Sequence, residues 1–249
     1  MFRHYLQTAQ RHLRKDWPYT LINLIGLTIG LSLVFLIILF VNREFSWNKS
    51  HEHRDDSYRL LVHNGALDWN QPLTPYLLGP VLEEEVPDVL AYTRISTARV
   101  NIIQEDGSEY PIRITGADPG VFKVFSFKYI AGPGSSQLMK SRDEVVLSKQ
   151  LSDVLFGEKD PVGQSLSFTG RGGGFNLTVS GVYDNFPETS TFRPQALFSV
   201  DRVAAFYNME NIETDWRSCF FELYFRLREG ASSSDFERQL RSIEEKYFE

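Results

Sequence analysis

One uninterrupted apolar segment limits what this chain can fold into. Residues 19–41, YTLINLIGLTIGLSLVFLIILFV, are 23 residues without a charged side chain. A helix of that length rises about 34 Å, enough to cross a hydrocarbon layer of about 30 Å. Such a segment is stable in lipid only as a helix, because a helix satisfies its own backbone groups. A buried helix of a water-soluble protein is the alternative, but such helices rarely run this long without a charge. We therefore predict a transmembrane helix at 19–41.

The charges around this segment predict its orientation. Residues 1–18 carry a net charge of +3, whereas the whole chain carries −6. Positive charge before an apolar span favours a cytoplasmic N-terminus and places everything after Val41 outside the membrane. The apolar run is longer than the roughly 7–15 residues of a cleavable signal peptide, so we expect a retained anchor. The acidic body argues against nucleic acid as a partner.

The sequence divides into four predicted segments. They are a cytoplasmic amphipathic interfacial helix at 1–18, the transmembrane helix at 19–41, a juxtamembrane connector at 42–56 and an extracytoplasmic domain at 57–249. The first segment has apolar residues on one helical face and basic residues around the rest, as interfacial helices do. Within the second, Gly26 and Gly30 form a G-x-x-x-G pair, which predicts a face where another membrane helix packs closely.

Strand and helix patterns are interleaved over residues 57–249. We therefore predict a mixed α+β domain, in one body or in two lobes. Strands are expected at 57–64, 89–97, 100–105, 110–115, 127–130, 144–147, 164–168, 175–185, 195–200 and 218–227. Helices are expected over 74–85, over 119–125, from Ser148 to a closing Gly157, and from the capping-box match Ser234–Glu237 onwards.

No motif in the sequence requires catalysis, a metal or a cofactor. The chain lacks G-x-S-x-G, and its one cysteine, Cys219, lies in an apolar strand pattern where thiols are usually inert. The glycine-rich run 169–174 has strands on both sides and no following Gly-Lys-Ser/Thr, so it predicts a hairpin tip instead of a phosphate loop. His51 and His53, followed by two aspartates, do not match a metal-binding order. We expect a protein that is not an enzyme.

Several stretches, taken in order, resemble one protein family. They are residues 24–31, 45–51 with 58–60, 116–122 with 131–132, 144–148 through 156–157 to 160–163, and 179–183 with 186–187. This arrangement resembles the MacB/FtsX-like permease subunits of bacterial ABC transporters. The resemblance covers the family's first membrane helix and its MacB-like periplasmic core domain, and its most specific part is the run from Glu144 to Gly163.

The resemblance implies a permease subunit in the bacterial inner membrane, with the N-terminus cytoplasmic and the main domain periplasmic. Such a subunit couples ATP-driven motion of membrane helices to a periplasmic domain that handles export of cargo. The implied partners are a cytoplasmic ABC ATPase, further permease membrane helices or a second permease copy, and the lipid bilayer. Family permeases have four membrane helices per half, so we expect an N-terminal fragment of a permease.

Two sets of residues follow as candidates for this role. Gly26 and Gly30 are the candidates for helix packing. The candidates for coupling the membrane helix to the domain are Phe45, Trp47, His51 and Tyr58. The alternative function is a single-pass, membrane-anchored sensor or binding domain without an ATPase partner, and a membrane-tethered hydrolase is a more distant third.

Overall fold

The computed structural model describes residues 11, 15–49, 51–64, 68–104, 106–134, 137–170, 172–206, 211–212 and 214–247. The chain divides into two units, one ending at Trp47 and the other beginning at Asn48. Most of the predicted interfacial helix at 1–18 lies outside the described residues. The helices are α1 (Trp17–Glu44), α2 (Leu78–Glu85), α3 (Val121–Val124), α4 (Lys149–Phe156), α5 (Asp201–Phe206) and α6 (Ser233–Tyr247).

The first unit contains the predicted transmembrane helix. Helix α1 is 28 residues long and contains the whole segment 19–41. Pro18 lies in its first turn, where a missing backbone N–H removes no helical hydrogen bond. Its most apolar 18-residue window has a mean hydropathy of 2.9, and none of its side chains is buried. Thr28 and Ser32 donate their hydroxyls to carbonyls one turn earlier, at 2.7 Å, so the helix itself satisfies these two hydroxyls.

The second unit is built on a ten-stranded sheet and a two-stranded hairpin. The hairpin joins β2 to β3. The strands are β1 (Ser57–Arg59), β2 (Val62–Asn64), β3 (Trp69–Gln71), β4 (Leu73–Pro75), β5 (Val89–Ile103), β6 (Glu109–Ala117), β7 (Tyr129–Ala131), β8 (Glu144–Ser148), β9 (Ser165–Gly170), β10 (Gly173–Tyr183), β11 (Ala196–Ser199) and β12 (Cys219–Leu227).

Strand pairing closes part of this sheet into a small barrel. Strand β5 pairs with β6, β6 with β11, β11 with β8, β8 with β10, β10 with β9, and β9 pairs back with β5. A closed ring has no free edges and must fill its interior with side chains. The interior is a single apolar cluster whose fully buried members include Ile102, Ile114, Leu147, Phe168, Leu177 and Phe198.

One long strand connects the barrel to the rest of the domain. Strand β5 has 15 residues, and its first half pairs with β12 while its second half pairs with β6 and β9. The sequence predicted two strands, 89–97 and 100–105. That prediction is wrong because pairing with β6 continues through Ala98 and Arg99 without a break.

Two further apolar clusters lie outside the barrel. One joins the outer faces of β5, β6, β8 and β11 to α3 and to aromatic side chains from the loops. The other packs α2 and α6 against β12. Helix α6 packs against this cluster through one face. Phe236 and Ile243 on that face are buried and Leu240 and Tyr247 are half-buried, as the helical spacing of these four residues predicts.

The structure confirms some local predictions and corrects others. Ser148 Oγ accepts from Leu151 N at 3.3 Å and Gly157 has φ +60°, so both ends of α4 are as predicted. The glycine-rich run is the tip of the β9–β10 hairpin. The helix predicted over 74–85 begins only at Leu78, because Leu73–Pro75 pairs with β12. Helix α6 is capped by Ser232 and not by Ser234, since Phe236 N–H donates to the Ser232 carbonyl.

Candidate functional site at the connector

The connector residues from 48 onwards form a hydrogen-bonded join within the domain unit. Asn48 adopts φ +56°, a left-handed conformation that asparagine tolerates better than most residues. Its N–H donates to Thr189 O at 2.9 Å. Its side-chain Oδ1 accepts from the backbone N of Thr191 at 2.9 Å and from the Thr191 hydroxyl at 3.1 Å. We call residues 186–192, which receive the connector, the docking loop.

His51 is the centre of this join. Only 6% of its surface is exposed, and both ring nitrogens are hydrogen-bonded. The Ser126 backbone N–H donates to Nδ1 at 3.3 Å, while Nε2 lies 3.0 Å from Ser190 Oγ. Because Nδ1 accepts, Nε2 carries the proton of the neutral ring and donates to Ser190. The Ser190 hydroxyl in turn donates to Phe192 O at 2.9 Å.

The surroundings of His51 favour its neutral form. Its ring packs against Phe125, with centroids 5.4 Å apart, and against Phe186 at 5.3 Å. These rings belong to an aromatic cluster in which Phe125 stacks on Phe192 at 4.2 Å. Burial among apolar rings disfavours the charged imidazolium and lowers the pKa of His51 below its usual value.

A second hydrogen bond holds the following residue. Glu52 donates its backbone N–H to the Ser126 hydroxyl at 2.9 Å. Ser126 thus accepts from Glu52 through its side chain and donates to His51 through its backbone. Asp56 O accepts from Leu227 N at 2.9 Å, just before β1 adds to the edge of β12. The connector from 48 to 56 is therefore tied to the loop after α3, the docking loop and the sheet.

The structure brings together two of the four predicted coupling residues. His51 and Tyr58 both line a cleft of about 480 Å³, and Tyr58 stacks on Phe225 at 5.8 Å. Phe45 and Trp47 belong to the helix unit, where 74% and 37% of their surfaces are exposed. A methyl group added at Gly26 or Gly30 would meet no heavy atom within 4 Å, so their face of α1 is open within that unit.

Sequence reasoning missed four residues of the join: Asn48, Ser126, Ser190 and Thr191. Each is a small polar residue that occurs commonly in turns, so its type alone carries little information. The hydroxyl-rich run Thr189-Ser190-Thr191 between two phenylalanines was the available signal. It shows that polar groups are present between apolar anchors, but it does not show what they bind.

A buried ion pair holds the middle of the domain together. Arg94 in β5 donates from Nε to Asp118 Oδ2 at 2.9 Å and from its NH2 group to Oδ1 at 2.6 Å. Its guanidinium also lies 3.8 Å from the centroid of the Tyr76 ring and donates to Tyr76 O. Burial acts to lower the pKa of Arg94, but the hydrogen bonds and charge of Asp118 outweigh it and raise that pKa.

Asp118 lies in the stretch 116–122, which carries part of the family resemblance. The packing around Gly116 and Gly120 shows why glycine occurs at these two positions of the stretch. A Cβ on Gly120 would lie 2.0 Å from Tyr92 O, and a Cβ on Gly116 would lie 2.3 Å from a Val203 methyl. Both positions therefore require glycine for close packing. The motif joins the end of β6 to β5 and α5.

The metal-ligating side chains and the one thiol of the domain define what chemistry its described residues offer. Among the described residues, no group of three or more histidine, cysteine, aspartate or glutamate side chains could hold a metal ion. Cys219 is half-buried, and burial together with the charge of Asp215 raises the pKa of its thiol. A thiol with a raised pKa is a poor nucleophile at neutral pH.

Comparisons with known proteins identify the family of the domain. The family model for the MacB-like periplasmic core domain matches residues 20–243. The structure is similar to a domain of a permease protein from Porphyromonas gingivalis, with a TM-score of 0.66, 20% identity, and coverage of 79% of this chain and 86% of that one. A search of curated proteins finds no match.

Two further solved structures share the fold. The periplasmic region of MacB from Actinobacillus actinomycetemcomitans has a TM-score of 0.56, 13% identity, and coverage of 78% of this chain and 85% of that one. The extracellular domain of YknZ, a noncanonic ABC-type transporter from Gram-positive bacteria, has a TM-score of 0.54, 11% identity, and coverage of 76% of this chain and 94% of that one. The chain belongs to the MacB-like periplasmic core domain family.

Proposed function

We propose that this chain is the membrane helix and periplasmic domain of a permease that couples ATP-driven motion of membrane helices to export of cargo. The observation that carries the proposal is the connector. Asn48 follows the last residue of α1 by four positions, and from Asn48 onwards the chain is bound into the domain through Asn48, His51 and Glu52.

A join of this kind favours transmission of motion over free tethering. A flexible linker would let a membrane helix move without moving the domain. Here a buried histidine, backed by two aromatic rings, fixes the start of the domain to the docking loop. The first residues of the domain unit are thereby fixed within it, which leaves fewer residues that could act as a flexible linker.

The partners of this function are a cytoplasmic ABC ATPase and additional membrane helices, from the remainder of a permease or from a second copy. The open Gly26/Gly30 face of α1 supports a packing role, since small residues let helices approach closely in lipid. The basic residues among 1–18 support a cytoplasmic N-terminus and an inner-membrane location with the domain in the periplasm.

The coupling can be tested by cysteine reactivity. Cys219 is first replaced by serine, and single cysteines are introduced as Trp47→Cys and Tyr58→Cys, with exposed Val154→Cys as the control. The chain is reconstituted in nanodiscs with the permease helices and the ABC ATPase encoded nearest to its gene. We expect ATP to change the maleimide reactivity of the first two positions several-fold and to leave position 154 unchanged.

The opposite result would support a different function. If no ATPase binds the chain and ATP changes none of the three reactivities, the anchored sensor or binding domain is the better description. Orientation is tested separately with the same Val154→Cys protein. A membrane-impermeant maleimide should label it in spheroplasts without permeabilisation, and labelling only after lysis would contradict the periplasmic placement.

A further inference from the structure

Two exposed arginines lie on the outer face of the barrel, and a third lies in the loop before β11. Arg99 in β5 and Arg113 in β6 are cross-strand partners. Their sequence neighbours Val100 and Ile112 are buried inside the barrel, so both arginines face outward. Arg193, just before β11, lines a cleft of about 320 Å³ together with Arg113. We call Arg99, Arg113 and Arg193 the arginine cluster.

The acidic side chains that the structure describes do not neutralise this cluster. Within that part of the chain, no ion pair involves any of the three guanidinium groups. Two of the acids nearby have other partners, whereas Glu188 lines a neighbouring cleft together with Arg193. Glu109 accepts from Asn101 Nδ2 at 2.5 Å. Glu222, which also lines the cleft, accepts from the Tyr224 hydroxyl at 2.8 Å and lies 3.6 Å from Arg59.

The positive charges of the arginine cluster repel one another unless a negative charge compensates them. Like charges directly opposite on neighbouring strands destabilise a sheet, and Arg99 and Arg113 are such a pair. The chain as a whole carries −6, so the arginine cluster forms a local positive site on an acidic protein. A bound anion would remove the repulsion and accept hydrogen bonds from the guanidinium donors.

The remaining lining of the cleft adds hydroxyl donors. Thr97 and Thr115 lie opposite each other, with their Oγ atoms 3.2 Å apart, so one hydroxyl donates to the other, while the Thr191 hydroxyl in the same lining donates to Asn48. Gln195 holds the arrangement, because its side-chain oxygen accepts from the backbone N–H of Arg113 at 2.9 Å. The cleft therefore offers guanidinium forks and hydroxyls to one small ligand.

We propose that this cleft binds a phosphate group. A carboxylate has two oxygens and one charge, whereas a phosphate has more oxygens and up to two charges, which suits the two arginines that line the cleft and the threonine hydroxyls beside them. Guanidinium groups bind phosphate through paired hydrogen bonds that a lysine cannot reproduce. The phosphate can belong to a lipid headgroup or to free inorganic phosphate.

Binding is measured by titration calorimetry on the full chain in an uncharged detergent. One arm adds inorganic phosphate and a second adds dihexanoyl phosphatidylglycerol below its critical micelle concentration. A third arm adds sodium acetate at matched ionic strength. The variants are Arg113→Gln, Arg193→Gln and Arg113→Lys, and the matched control is Arg241→Gln on the exposed surface of α6.

We expect phosphate or the phosphatidylglycerol to bind and acetate to bind at least tenfold more weakly. Arg113→Gln and Arg193→Gln should each weaken binding by about tenfold, and Arg113→Lys should restore only part of the loss. Tighter binding of the lipid identifies a headgroup, and tighter binding of inorganic phosphate identifies the free anion.

Three results would overturn the proposal. They are no binding of either phosphate ligand up to about 10 mM, acetate binding as tightly as phosphate, or Arg241→Gln weakening binding as much as the cluster variants. Because the assay contains no ATPase and no nucleotide, its outcome is independent of the coupling experiment.

Discussion

His51 Nε2 lies 3.0 Å from Ser190 Oγ, and this hydrogen bond joins residues that are 139 positions apart in the chain. Both residues are buried, and the Ser190 hydroxyl donates its own hydrogen bond to the Phe192 carbonyl. The imidazole N–H therefore donates to the Ser190 hydroxyl, and that hydroxyl donates to a backbone carbonyl of the docking loop. The connector is bound to a specific position on the domain by a pair that is shielded from solvent.

Replacing Ser190 by alanine should destabilise the domain. The variant removes the acceptor for His51 Nε2–H and leaves that donor buried and unsatisfied, which costs about 1–3 kcal/mol. Urea unfolding of the chain in detergent, followed by tryptophan fluorescence, measures the free energy of unfolding. Ser167→Ala, at an exposed position of β9, is the matched control and should change it by less than about 0.5 kcal/mol. Equal effects of the two substitutions would contradict the assigned role of Ser190.

The same pair predicts a pH dependence of stability. Burial lowers the pKa of His51 in the folded chain, whereas the unfolded chain has the ordinary value of about 6.5. Above pH 6.5 the ring is neutral in both states and its contribution is complete. As the pH falls below 6.5 the unfolded state binds a proton first, so stability declines until the pH reaches the folded pKa.

This dependence is measured as the slope of unfolding free energy against pH, between about pH 6.5 and 5. The contribution of one proton cannot exceed about 1.4 kcal/mol per pH unit. His51→Gln should reduce the slope, while Ser167→Ala, which alters no titratable group, should leave it unchanged. An unchanged slope in His51→Gln would show that the ring is not buried in its neutral form.

Sequence patterns predicted the elements whose cause is local. The 23-residue apolar run predicted the core of α1, and Ser148 with Gly157 predicted both ends of α4. These features depend on residues within a few positions of one another. The α+β class and the family membership were also accessible, because motif order along the chain does not require knowledge of contacts.

Features that depend on long-range pairing were not predictable in the same way. The closing of the barrel depends on β9 pairing with the far end of β5, and no local pattern specifies that partner. His51 was proposed for coupling, but Ser126 and Ser190 were not, because hydroxyls in loops look alike until the fold brings them together. The Leu73–Pro75 strand was missed for the same reason, since β12 supplies its hydrogen bonds.

Gly120→Ala should be strongly destabilising. The added methyl group would lie 2.0 Å from the Tyr92 carbonyl oxygen, which is backbone and cannot rotate away. Overpacking of this kind costs about 1–3 kcal/mol or more. Gly174→Ala is the matched control, because its nearest atom would be 3.7 Å away, and it should change the unfolding free energy by less than about 0.5 kcal/mol. Similar values for the two variants would show that β5 can move away from residue 120.

The buried pair of Arg94 and Asp118 predicts strong energetic coupling. Removing one partner leaves the other as an uncompensated buried charge, so Arg94→Met or Asp118→Leu alone should cost about 3–5 kcal/mol. Removing both leaves no buried charge, and the double variant should lose much less than the sum of the two single losses. A double-mutant cycle on the unfolding free energy measures the difference.

A cycle in a surface pair provides the control for this measurement. Lys149 and Asp153 are half-exposed partners one turn apart on α4, and their coupling should be about 0.3–0.5 kcal/mol. Strict additivity at Arg94 and Asp118 would mean that water reaches the pair and screens it. Coupling well above the surface value would show that the pair is shielded from solvent and that neither charge is tolerated alone.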